Sequence, residues 1–148
     1  MATTVTTADL TVTITESYTL NGVAYGNTSS KTTSSQGQVL QRIMSVSTSD
    51  PAILNFGAAD AAGQVAVADY KYFRITNLDD TNFINLTLFN GTDSFFYKVA
   101  AGDTFVLMNN EMDAIASSTT FGAFADITQI KADANTAACD IEVLMVTT

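Results

Sequence analysis

Few residues in this chain are of types that do chemistry. Fifteen acids are present against six Lys and Arg, with one Cys and no His. Without imidazole there is no Ser-His or Cys-His nucleophile pair and no His ligand for a metal. The lone thiol, Cys139, excludes an intrachain disulfide and a paired-cysteine metal knuckle. It stands in the alternation Cys139, Ile141, Val143, Met145, where a Cys behaves as a small hydrophobe, so core packing is expected rather than reactivity. Asp79-Asp80, between Asn77 and Asn82, offers oxygen ligands of the kind Ca²⁺ takes. It lacks EF-hand spacing, and Asp and Asn are also the ordinary residues of turns, so a plain turn is the expectation. Paired carboxylates for glycoside hydrolysis are permitted by fifteen acids but signalled by none. The expectation is no catalytic site, no metal and no cofactor.

Three places have residues suited to binding or to being covered. In Tyr70, Tyr72 and Arg74, strand alternation puts two phenols and a guanidinium on one face, with Lys71, Phe73 and Ile75 on the other. Tyr and Arg are common interface anchors, and a Tyr face can stack on sugar rings; equally, a loop of the same chain can cover them. Phe95-Phe96 places an aromatic on each face of a later strand, which predicts cover on both sides by a second layer or a neighbouring subunit. The first seven residues have no core pattern. In this arm Val5, Thr6 and Thr7 have the β propensity to add a strand to a neighbour's sheet edge. Ordering such an arm costs roughly 1–2 kcal/mol of backbone entropy per residue, which Thr side chains on an open surface cannot offset.

The elements that must position these residues are strands. Leu10, Val12, Ile14, Tyr18 and Leu20 share one parity, interrupted by Glu16, with Thr on the other, and the run ends in the hairpin signal Asn21-Gly22. One dry face is expected there. Residues 26–37 read as an exposed strand end or a loop. Further strands are expected over 39–46, over 52–56 after the only proline, Pro51, and as a short edge strand over 64–68. Strands over 70–77, 82–90, 95–100 and 104–108 read as a meander with tight links. Residues 111–116 suit one helical turn or a loop. Two closing strands are expected over 127–132 and 139–146.

Thr accounts for 23 residues and Ser for 11, while charged residues are only 14%. The 148-residue length suits one domain. The fold class expected is all-β: an antiparallel two-sheet sandwich, jelly-roll-like, of nine to eleven short strands. The arm is assigned to residues 1–9 and the single sandwich domain to 10–148. A net charge of −9 opposes binding to nucleic acid or an anionic membrane. The start, Met1-Ala2-Thr3-Thr4-Val5, lacks the basic and apolar regions of a signal peptide, and no apolar run approaches the roughly 20 residues of a membrane helix. A soluble protein made in the cytoplasm is expected.

Three stretches resemble small structural proteins of marine tailed bacteriophages. They are Ile14-Thr15-Glu16-Ser17-Tyr18-Thr19-Leu20-Asn21-Gly22, the run from Tyr72-Phe73-Arg74-Ile75-Thr76-Asn77 to Leu78-Asp79-Asp80-Thr81-Asn82-Phe83, and the closing pattern Ile127 to Ala132 with Ala137 to Val143. The resemblance implies a virion component made in the host cytoplasm, a β-sandwich on the capsid exterior or in the neck and tail. It implies as partners other copies of the chain, forming a homo-oligomer, and major capsid or tail proteins. It supplies no catalytic residues. Three roles stay open: a capsid decoration or cement subunit; a tail, neck or filament subunit; and a carbohydrate-binding sandwich on a receptor-binding appendage.

Overall fold

In a computed structural model the protein is nearly all β, and residues 6–49, 51–58, 64–108, 113–114 and 125–148 are described. They fall into two compact units, Met1–Gln38 with Thr148 and Val39–Thr147, where the sequence reading drew its line after residue 9.

The first unit is a long hairpin. Strand β1 (Ala8–Leu20) pairs antiparallel with β2 (Val23–Gln36), and the two form a sheet of their own. Asn21 and Gly22 turn the chain with φ of 52° and 79°, the left-handed pair that matches the twist of the flanking strands. The polar run 26–37 is thus mostly strand. Only a bulge between Ala8 and Leu10 interrupts the register.

The second unit is the sandwich. One sheet has four strands in the order β3 (Gln38–Val46), β13 (Cys139–Thr147), β6 (Tyr70–Asn77), β9 (Thr104–Leu107). The other has five, in the order β5 (Val65–Ala66), β4 (Ala52–Gly57), β12 (Gln129–Ala134), β7 (Ile84–Phe89), β8 (Ser94–Val99). β5 runs parallel to β4, whereas β4–β12, β12–β7, β7–β8, β13–β6 and β6–β9 are antiparallel. A separate short pair, β10 (Asp113–Ala114) with β11 (Ala125–Asp126), brings the described strands to thirteen, above the nine to eleven expected because three of them span only two residues. Asp113 and Ala114 lie in a strand where a helical turn or loop was expected; the rest of that stretch lies outside the described residues. The helical element among the described residues is a single 3₁₀ turn, Val67–Asp69.

In chain order the eight longer strands of this unit pair first with last, second with seventh, third with sixth, and fourth with fifth. That nesting is an antiparallel ribbon rolled up on itself, a jelly roll. It corrects the expected meander. β6 neighbours β9 and β7 neighbours β8, but the two pairs lie in different sheets. Tight links marked the strand ends correctly; they did not decide which strands become neighbours, because the roll pairs segments far apart in sequence.

Inward positions of both sheets fill one core: Phe73 and Ile75 from β6, Ile84 and Leu86 from β7, Ile130 and Ala132 from β12, and Cys139, Ile141, Val143 and Met145 from β13. Each side chain points inward at every second residue, which is the alternation the sequence shows.

Candidate functional site

Asp79 is engaged in shaping a turn. Its Oδ1 accepts the backbone N–H of Thr81 at 2.8 Å and of Asn82 at 2.6 Å. These two donors hold its carboxyl below the usual carboxylate range. The Thr81 hydroxyl donates to Asp80 at 2.8 Å. Asn77, fully buried at the end of β6, pins the same corner. Its Nδ2 donates to the carbonyls of Asn82, Val99 and Ala100 at 2.8, 3.3 and 3.1 Å, while its Oδ1 accepts the Asp79 N–H at 3.1 Å. Asp79-Asp80 thus works as the turn that composition suggested, tying the β6–β7 and β8–β9 connections together.

Cys139 is buried in the core beside this corner, with its thiol donating to the Ala137 carbonyl at 3.6 Å. Burial first, and the Asp79 charge second, push its pKa up, which disfavours the nucleophilic thiolate.

The structure does not bring Tyr70, Tyr72 and Arg74 onto one face. The register between β6 and β13 shifts where Val146 faces Tyr72 and Thr147 faces Tyr70, so Lys71 is an extra residue. Such a bulge reverses the parity of what precedes it. Tyr70 therefore turns inward with Phe73 and Ile75. Its ring meets Phe56 edge-on at 6.4 Å and its hydroxyl donates to the Leu107 carbonyl. Burial, with Tyr72 nearby, raises its pKa far above the ordinary phenol value. Tyr72 is also buried. Arg74 is half-buried within a polar line across its sheet. Its Nη2 meets Glu142 Oε2 at 3.1 Å, Gln41 donates to the other Glu142 oxygen at 2.8 Å, and Thr76 and Thr104 hydroxyls meet at 3.0 Å. Of the arm, Thr6 and Thr7 are exposed and precede β1, whose first residues are Ala8 and Asp9; Val5 lies outside the described residues.

Two apolar surfaces stand open instead. In the sandwich, Phe95, Phe96 and Tyr97 of β8, the terminal strand of its sheet, are all exposed, Phe96 at 60%. Phe95 and Tyr97 lie opposite the core residues Leu88 and Leu86, and the Tyr97 ring meets Phe105 of β9 at 5.0 Å. These rings form a lip where the last strands of the two sheets meet. The cover expected for Phe95-Phe96 is not supplied by the described residues.

The second surface is the hairpin. Its register puts Leu10, Val12, Ile14, Glu16, Tyr18 and Leu20 on the same face as Thr33, Lys31, Ser29, Asn27, Tyr25 and Val23. Tyr18 stacks on Tyr25 at 5.2 Å and 13°. The expected dry face is not dry: Ile14, Tyr18, Leu20 and Val23 are 53–58% exposed. A two-stranded sheet has no second layer within its own unit, and of the six residues that β2 places on that face only Val23 and Tyr25 are apolar. The opposite face is a ladder of hydroxyls, with Thr11 to Thr32 and Thr13 to Ser30 at 2.9 Å and Thr28 to Thr15 at 3.4 Å. Sequence reasoning found the alternation but not its exposure. The available signal was the polarity of 26–37, the partner strand, which leaves the Leu10–Leu20 face half lined.

No family model matches the chain, and neither the curated proteins nor the solved structures yield a match.

Proposed function

We propose that this chain is a non-enzymatic structural subunit of a virion, a capsid decoration or cement protein that binds neighbouring capsid subunits or copies of itself. The observation that carries this reading is the hairpin, a long two-stranded sheet that holds Ile14, Tyr18, Leu20, Val23 and Tyr25 out in solvent. An isolated two-stranded sheet is marginal in water, and such a face normally marks a contact surface. The jelly roll supports the same reading by analogy of fold, since it recurs in viral capsid proteins. The resemblance to phage structural proteins in three separate stretches supports it again. The chemistry-bearing groups fit a scaffold: Asp79 is occupied with backbone N–H groups, and the thiol of Cys139 is buried, which pushes its pKa up.

The exposed rings at the β8 lip favour a second reading, a carbohydrate-binding sandwich on an appendage, because jelly rolls also serve as lectins and exposed aromatics stack on sugars. The test is quantitative mass spectrometry of gradient-purified particles from the phage that encodes the chain. Hundreds of copies per particle are the expected result. Tens or fewer would assign it to the neck or tail. Absence from particles would overturn the virion reading, and retention on a glycan surface would then favour the lectin.

A further inference from the structure

We propose that the apolar face of the β1–β2 hairpin is self-complementary and packs on the same face of a second copy of the chain. This rests on reading the chain as an assembly subunit and names the surface and the partner.

Charge is the first reason to choose a second copy. Residues 1–38 carry Asp9, Glu16 and Lys31, two acids and one base, or −1. The remaining residues carry thirteen acids and five bases, or −8, giving the total of −9. Two copies of an acidic chain repel each other least where they meet through the nearly neutral hairpin. A basic partner would instead be drawn to the sandwich.

The second reason is the placement of the two charges on the apolar face. Glu16 stands opposite Asn27, and Lys31 stands opposite Val12, so they lie on the rungs to either side of the rung Ile14–Ser29. A two-fold axis at Ile14, perpendicular to the strands, exchanges those rungs. Glu16 of each copy then lies over Val12 of the other, diagonal to its Lys31, so two pairs of opposite charge come within reach of each other. The tip residues Tyr18 and Tyr25 fall over Leu10 and Thr33 of the partner. Residue i meeting j, and j meeting i, is what a two-fold contact requires.

The third reason is area. Five side chains about half exposed, two of them Tyr, present on the order of 500 Å² of surface, and the stems of Leu10, Val12 and Lys31 add to it. A stable pair needs about 800 Å² per partner. The face-to-face stack would also supply the second layer that the hairpin lacks, leaving both hydroxyl ladders to water.

The experiment is sedimentation velocity of the full chain over a range of concentrations. A concentration-dependent dimer is expected. Tyr18→Ser with Leu20→Ser should abolish it, with the circular dichroism of the sandwich unchanged. Glu16→Lys should raise the dimer Kd by about tenfold or more, and Glu16→Lys combined with Lys31→Glu should restore it. Ile14→Cys, next to the axis, should cross-link to itself on oxidation, whereas the wild type, whose Cys139 is buried, should not. A chain that is monomeric at every concentration, or a dimer indifferent to the hairpin variants, overturns the inference. If a monomeric chain is nonetheless abundant in particles, the virion reading survives without this interface. If a hairpin-dependent dimer is absent from particles, the reverse holds.

Discussion

The hairpin and the sandwich are written in the same alternating text, yet they deal with their apolar faces in opposite ways. In the sandwich, the inward residues of β6 and β13 meet those of β7 and β12 across a layer gap, and Phe73, Ile75, Ile84 and Ile141 lose all contact with water. In the hairpin, Leu10 to Leu20 alternate as regularly, but no second sheet within the unit meets them. Alternation therefore specifies a strand with two unlike faces. Whether the apolar face is core or contact surface depends on a second layer that periodicity does not show.

The largest contrast should come from truncating one side chain in each region. Phe73→Ala empties a fully buried site and should cost roughly 3–5 kcal/mol, a large part of the stability of an ordinary domain. Ile14→Ala removes a side chain that is half in water, and should change the unfolding free energy of the sandwich by less than about 0.5 kcal/mol. Urea unfolding followed by far-UV circular dichroism measures both. Equal costs would mean that the hairpin face is part of the core.

Asn77→Ala comes next. It strips hydrogen bonds from the carbonyls of Asn82, Val99 and Ala100 at a buried corner and should cost about 2–3 kcal/mol. The sandwich should lose this stability with no change in amide exchange at the hairpin.

The turn at Gly22 probes the other region. Its φ of +79° suits glycine, so Gly22→Ala should cost the hairpin about 1 kcal/mol. Amide exchange should quicken across β1 and β2 while the sandwich amides stay protected. This turn was fully legible in the sequence, because Asn-Gly before a return strand has a local cause. The sandwich turn at Asn90-Gly91 was legible for the same reason, and there Asn90 Oδ1 accepts the N–H groups of Thr92 and Asp93. The pairing of β6 with β9 was not legible, since it is set by the roll as a whole. The face of Tyr70 was not legible either. A single extra residue at Lys71 reverses it, and a bulge of that kind leaves no mark in the alternation. Among the candidate sites, Asp79 could be read as a turn residue because its partners lie two and three residues away. The exposure of the hairpin face could not be read, because it depends on what is not packed there.

A smaller effect is expected from acid. Backbone donors lower the Asp79 pKa in the folded state below its unfolded value near 4. The resulting stabilisation is present above the unfolded value and is lost as pH falls through the folded value. Asp79→Asn should flatten this acidic limb of the stability curve and leave the neutral plateau of hairpin exchange unaltered. A limb of unchanged slope would show that Asp79 adds nothing to the acid response.

The smallest effect on folding should come from the hydroxyl ladder, and it bears most directly on why the two regions differ. Replacing Thr11, Thr13 and Thr15 together by Val removes three cross-strand hydroxyl contacts, each worth a few tenths of a kcal/mol to about 1 kcal/mol. Val has at least as much β propensity as Thr, so the hairpin regains most of what it loses. Its amide protection should change by less than about 1 kcal/mol, and the sandwich midpoint should not move. Solubility should change instead. The substituted hairpin would have apolar side chains on both faces and two free strand edges, the combination that invites edge-to-edge association. Light scattering should therefore keep rising with concentration in the triple variant and level off at the mass of a dimer in the wild type. That outcome would mean the Thr face is selected for wetness, keeping association confined to the opposite face. The same plateau in both would mean that the ladder only replaces one set of strand-formers with another.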